Sequence, residues 1–228
     1  MSDCRSRRGR VRGFTLIELL VAVGLMALMA ALSWRGLDGM TRSQAQMRQY
    51  ADDVLALQSG LGQWGADLDA MVTAPDAAAS YKFVTLDWDG RVLRILRRDA
   101  ANAGAGLRVV AWSRRVVDGA GQWLRWQSPP LQTRAELQVA WQRAAQWAQS
   151  PGADDAQREV RVAALDQWQI FYYRKDAWSN PMSSAGAAND GQTDTLDAVR
   201  LVLTLTPGQA ISGTITRDWL RPGVGGGK

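Results

Sequence analysis

The chain has 228 residues, 46% of them hydrophobic, and a formal net charge of +5. It holds no histidine and one cysteine, Cys4, so the chain beyond residue 4 cannot supply a thiol nucleophile, an internal disulfide or the nitrogen and sulfur ligands of a zinc site. Five arginines (Arg5, Arg7, Arg8, Arg10, Arg12) and Asp3 lie ahead of Gly13; without them the 27 basic and 22 acidic residues fall to 22 and 21, which leaves no basic stripe for nucleic acid.

From Phe14 to Trp34 the only charge is Glu18. Twenty-one helical residues rise about 31 Å at about 1.5 Å each, the thickness of a bilayer core. The arginines before them belong on the cytoplasmic side by the positive-inside rule, which puts the rest of the chain across the membrane. A secretory signal peptide cut near Ala27, Ala30 or Ala31 is the simpler alternative. Glu18 argues against it: an acid in an apolar span costs roughly 2.5–3.5 kcal/mol and marks a functional residue that needs a partner.

Gly13, Phe14, Thr15, Leu16, Ile17 and Glu18, set between a basic leader and an apolar helix, resemble the class III signal of type IV pilins and type II secretion pseudopilins. The resemblance implies a pilin-like α+β fold, cleavage by a membrane prepilin peptidase between Gly13 and Phe14, and N-methylation of Phe14. It also implies that Glu18 pairs with the Phe14 amine of a neighbouring subunit during assembly. The glycine suits the cut because no Cβ obstructs the backbone.

The same helix is expected to continue from residue 35 to Pro75. Met47, Tyr50, Val54, Leu57, Leu61, Trp64, Leu68 and Met71 alternate by three and four along it and form one apolar stripe. Its distal end, Trp64 to Met71, is expected to pack on the protein's own sheet, with Asp52, Asp53, Gln58, Gln63, Asp67 and Asp69 on a wet face. Gly60, Gly62 and Gly65 weaken a helix and point to a close backbone approach or an irregularity.

Beyond residue 76 the pattern is β. Tyr81–Leu86 and Arg91–Arg97 flank Asp87-Trp88-Asp89-Gly90, and Leu107–Val117 and Gln122–Gln127 flank Asp118-Gly119-Ala120-Gly121, which reads as two hairpins. The arginine pairs Arg97-Arg98 and Arg114-Arg115 read as solvated strand positions. Thr133 and Glu136 form a capping box ahead of a helix over Thr133–Gln149, and Ser150–Gln157 reads as a polar loop. Alternation around Trp168, Ile170 and Tyr172, and again at Val199, Leu201, Leu203 and Leu205, predicts half-buried antiparallel strands. Pro207-Gly208 turns the chain into a last strand over Ala210–Leu220.

The expected organisation is a leader, 1–13, removed; a transmembrane half-helix, 14–34; a periplasmic half-helix, 35–75; a periplasmic β-rich domain, 76–221; and a flexible tail, 222–228. Asn189, Asp190, Asp194 and Asp197 are oxygen ligands of the kind calcium takes, and some pseudopilins bind calcium in such loops, but the spacing fits no motif and no metal or cofactor is assigned. No catalytic constellation emerges, so no enzyme is expected.

The soluble part resembles the J-type minor pseudopilin of type II secretion through GLRVVAWSRRVVDGAGQW, DQWQIFYYRKDAWSNP and LDAVRLVLTLTPGQ. Where that family often has a Trp-Pro pair, this chain has Trp178-Ser179-Asn180-Pro181. The resemblance implies I-type and K-type minor pseudopilins, the major pseudopilin, the prepilin peptidase and the inner-membrane assembly platform as partners. It also implies a place in the pseudopilus tip complex, which primes fibre assembly and supports export of folded proteins across the outer membrane. The alternatives are a minor pilin of a type IV pilus and a bitopic periplasmic binding module.

Overall fold

Leu, Ala and Met dominate the apolar run and no proline interrupts the forty residues after it, so one helix persists far beyond the run. The computed structural model, which describes residues 13–72, 84–99, 106–174, 176–183 and 196–222, contains this helix as α1, Leu16–Asp69. Contacts divide the chain into two units, residues 1–49 and 50–228.

In the first unit every described residue is exposed. Arg42 and Asp38 pair across one turn at 2.7 Å, a surface contact of small energetic weight.

The second unit is an antiparallel sheet of β1 (Leu86–Trp88), β2 (Val92–Arg98), β3 (Leu107–Val117), β4 (Ala120–Gln127), β5 (Glu159–Arg174), β6 (Ala177–Ser179), β7 (Ala198–Leu205) and β8 (Gly213–Leu220). The spatial order is β1-β2-β3-β4-β5-β7-β8, with β6 on the end of β5. Thus the pilin-like α+β architecture expected from the sequence, a long helix followed by an antiparallel sheet, is the one present. β5 joins the two halves: its first residues pair with β4 and its later ones with β7, with a register shift between Leu165 and Gln167.

The two sheet faces bury different cores. Leu57, Trp64 and Leu68 of α1 pack with Leu93, Ile95, Val110, Trp112, Trp123, Ile170, Leu201 and Leu203. On the opposite face Leu137, Ala140, Ala144 and Trp147 of α2 (Arg134–Gln149) pack with Val92, Leu96, Val109, Leu124 and Trp126. Successive strand residues face opposite sides, and this alternation serves both layers. The apolar stripe on α1 is half-buried at Val54 and Leu61 and buried at Leu57, Trp64 and Leu68, while Met47 and Tyr50 are 69% and 57% exposed.

α1 ends at Asp69, earlier than the expected stop at Pro75, which lies outside the described residues. The backbone beyond Asp69 finds sheet partners instead: Met71 bridges Arg97, and the Val72 amide donates to the Leu96 carbonyl at 3.0 Å. The first hairpin is also tighter than expected, because Asp87 and Trp88 belong to β1. Asp89 Oδ1 accepts from the Arg91 and Val92 amides at 2.9 and 2.8 Å, and the Asp89 amide donates to the Val92 carbonyl at 3.4 Å, which closes the turn. Tyr81 to Phe83, assigned to that strand from sequence, lie outside the described residues. Asp118 and Gly119, with φ of 53° and 81°, form the two-residue turn between β3 and β4 that the Asp-Gly pair favours. The stretch Ser150–Gln157 is not simply a loop; it contains the short helix α3, Ala153–Ala156.

Gly60 explains one of the three helix glycines. A Cβ there would lie 2.1 Å from Val162 Cγ1 and 3.3 Å from Trp123 Cζ3, whereas Cβ atoms at Gly62 and Gly65 would meet nothing within 4 Å. Gly60→Ala should therefore lower stability by about 1–3 kcal/mol through overpacking, while Gly62→Ala and Gly65→Ala should each raise it by about 0.5–1 kcal/mol. Urea unfolding midpoints read all three.

The capping box of α2 is present, with the Glu136 amide donating to Thr133 Oγ1 at 3.2 Å and Glu136 Oε2 accepting from the Gln132 and Thr133 amides at 2.7 and 3.1 Å. These amides hold the Glu136 carboxyl below its ordinary 4.5. A group whose folded pKa is depressed contributes above its unfolded value and loses that contribution as pH falls through the folded one. Intrinsically corrected amide exchange at residues 134–137 should accelerate as pH falls below 4.5, and Glu136→Gln, which keeps the cap uncharged, should abolish that dependence.

Candidate functional site

The processing and assembly residues read from sequence occupy one short segment. Gly13 and Phe14 precede the helix; both are exposed, Phe14 by 83%, and a Cβ on Gly13 would meet nothing within 4 Å. Glu18 lies in the first turn of α1. It has a local role that the sequence reading missed. The Glu18 amide bonds to the Thr15 carbonyl at 3.1 Å and lies 3.4 Å from Thr15 Oγ1, which is itself 3.4 Å from Glu18 Oε2. Thr15-Leu16-Ile17-Glu18 has the T-x-x-E signature recognised at Thr133, and a carboxylate also suits the positive end of a helix dipole. The signal was in the sequence, concealed by the apolar run after it.

Leu16, Ile17, Leu19, Leu20 and Val21 are each more than half exposed. The helix is apolar and long enough to cross a membrane, and none of its apolar window is buried. A contiguous exposed apolar surface of this length needs lipid or another protein against it.

At the other end of α1 the sheet holds the helix through a buried charge. Asp67 is fully buried, which corrects the expectation that it faces water. Its Oδ2 accepts from Trp112 Nε1 at 2.9 Å and Arg125 Nε at 2.8 Å. Its Oδ1 accepts from Arg125 Nη2 and Gln63 Nε2, both at 2.9 Å, and from Arg97 Nη1. Both carboxylate oxygens are thus saturated. A second pin is Trp219 Nε1, which donates to Asp69 Oδ1 at 2.7 Å.

Of the arginine pairs, Arg97, Arg114 and Arg115 are structural rather than solvated, while Arg98 is exposed as expected. Arg97 is 7% exposed in the Asp67 cluster, and Arg114 Nε donates to the Leu165 carbonyl at 2.9 Å. On the α2 face Arg115 Nη2 and Trp147 Nε1 share Glu159 Oε2 at 2.6 and 2.7 Å. Asp155, one of the carboxylate pair at 154–155, is buried and joined to Arg143 Nε at 2.7 Å, which ties α3 to α2.

Among the described residues no three His, Cys, Asp or Glu side chains form a metal-binding group. Of the residues weighed for calcium, Asn189, Asp190 and Asp194 lie outside those residues, and Asp197 is half-buried just ahead of β7.

Residues 8–34 match the model of the prokaryotic N-terminal methylation motif. The chain carries a prepilin-like signal. The type II secretion system core protein G of Klebsiella michiganensis is 29% identical over 91 residues, covering 36% of this chain and 63% of that protein. The chain therefore spans less than two thirds of the length of the curated relative it matches. No solved structure matches the chain.

Asp67→Ala strands Arg97 and Arg125 together in the core. The loss should be about 3–5 kcal/mol, seen as a lower urea midpoint with a broadly unchanged m value. Asp52→Ala, on an exposed part of the same helix, should change stability by less than about 0.5 kcal/mol.

Proposed function

We propose that this protein is a minor pseudopilin of a type II secretion system, of the J type, anchored in the inner membrane by α1 with its β-rich domain in the periplasm. The observation that carries the reading is the methylation motif over residues 8–34, whose exposed apolar stretch from Phe14 to Trp34 has Glu18 as its single charge. The partial similarity to core protein G points to the same system. The J type rests on the sequence resemblance over three segments, which correspond to the β3–β4 hairpin, the later part of β5 running into β6, and β7.

In this reading the leader, residues 1–13, is removed between Gly13 and Phe14 by a prepilin peptidase, and Phe14 is methylated. Residues 14–34 span the membrane. Glu18 then pairs with the Phe14 amine of an adjacent subunit, which neutralises both charges in an environment where either alone is costly. The protein performs no catalysis; it joins I-type and K-type partners at the tip of the pseudopilus and primes growth of the major-pseudopilin fibre on the assembly platform.

Intact-mass analysis after co-expression with a prepilin peptidase should show loss of Met1 to Gly13 and one added methyl group; a cut near Ala31 would overturn the reading. Glu18 also belongs to the helix cap, so two substitutions separate its roles. Glu18→Gln keeps a capping side chain and removes the charge, whereas Glu18→Ala removes both. If the charge pairs subunits, both variants should process normally, fold normally and lose assembly and secretion to a similar degree. Normal assembly by Glu18→Gln would assign the residue to capping alone. Capture of I-type and K-type subunits by the purified protein tests the tip assignment, and capture of type IV pilus subunits instead would favour a minor pilin.

A further inference from the structure

Next to the Asp67 cluster, Arg108, Arg125, Gln127, Ser128, Pro129 and Arg158 line a basin of about 420 Å³ that opens to solvent. Strand register assembles it. Arg97 pairs with Arg108, Trp112 with Arg125 and Val110 with Gln127, so these side chains rise from one face of β2, β3 and β4, and Arg158 enters just ahead of β5.

The charges around the basin do not balance. Arg108 Nε donates to Asp99 Oδ2 at 2.8 Å and its Nη1 to the Ser128 carbonyl at 3.0 Å. Arg125 uses Nε and Nη2 on Asp67 and Gln127. Asp67 is shared with Arg97. Arg158 is half-buried, and among the described residues its guanidinium has no partner. The neighbouring acid, Glu159, is taken by Arg115 and Trp147. Among the described residues the basin thus holds three guanidiniums, of which Arg108 and Arg125 already engage an acid and Arg158 does not.

Among the described residues the lining of the basin carries three arginines, Arg108, Arg125 and Arg158, and no acid. Guanidinium forks match planar carboxylates in paired hydrogen bonds, and the acids already present are both carboxylates. We propose that the basin is a carboxylate-binding site, occupied by acidic side chains of a protein partner, with Arg158 as the residue that captures them. The site stands independently of the fibre reading, since it follows from charge and geometry in the second unit alone.

Arg158 is the residue to change, because Arg108 and Arg125 also neutralise buried acids. The full chain in detergent is titrated with fluorescently labelled hexaglutamate at fixed ionic strength, followed by anisotropy, with citrate and inorganic phosphate as competitors. Hexaglutamate should bind and citrate should displace it; Arg158→Gln should weaken binding at least tenfold while leaving the melting temperature unchanged. Arg161→Gln removes the same charge from an exposed pair with Asp118 at 2.9 Å and should leave binding within twofold. Equal losses in both variants, or no binding by wild type, would overturn the site. Displacement by phosphate but not citrate would overturn its assignment to carboxylates.

Discussion

A single buried carboxylate sets how the long helix meets the sheet. Asp67 cannot lie in an apolar core without compensation, because desolvating a charge costs several kcal/mol. Arg97 from β2, Arg125 from β4 and Trp112 from β3 converge on it. A helix shifted by one residue would carry that carboxylate away from its donors and leave two guanidiniums facing each other. Apolar packing alone tolerates sliding and rotation far better. The network thus fixes register, while Leu57, Trp64 and Leu68 supply the buried area.

The two ends of α1 use acids in opposite ways. Glu18 is exposed, and among the described residues its carboxylate meets only Thr15 of its own turn, which leaves it available to other groups. Asp67 is saturated and unavailable. The contrast is between an exposed acid at the start of the helix and a buried, positional acid at its end.

Local features were legible in the sequence. The apolar run, the capping box at Thr133 and the alternation through Val199 to Leu205 depend on residues close together in the chain and appear where they were read, while the turn read over 118–121 narrows to Asp118-Gly119 because β4 begins at Ala120. Asp67 was not legible. Its partners lie 30, 45 and 58 residues away, and an acid off the apolar stripe looks solvated until the strands opposite it are known. Arg97, Arg114 and Arg115 failed for the same reason. Trp147 was missed because its indole sits between Trp126 and Arg115, a neighbourhood assembled from three separate elements. The start of α1 differs: Thr15 and Glu18 announced a cap, but a membrane signal and a helix signal were superimposed on the same four residues.

The Asp67 cluster also has a mechanical side. Force drawn along α1 would reach the sheet at Asp67, where donors from three adjacent strands attach to one carboxylate. Those bonds end on one carboxylate, so they take up load together rather than in turn. Trp219 on Asp69 adds a further tether from β8, beyond the opposite side of β5. The pull is thereby divided between the two halves of the sheet, and the join between helix and domain resists traction better than its small area suggests.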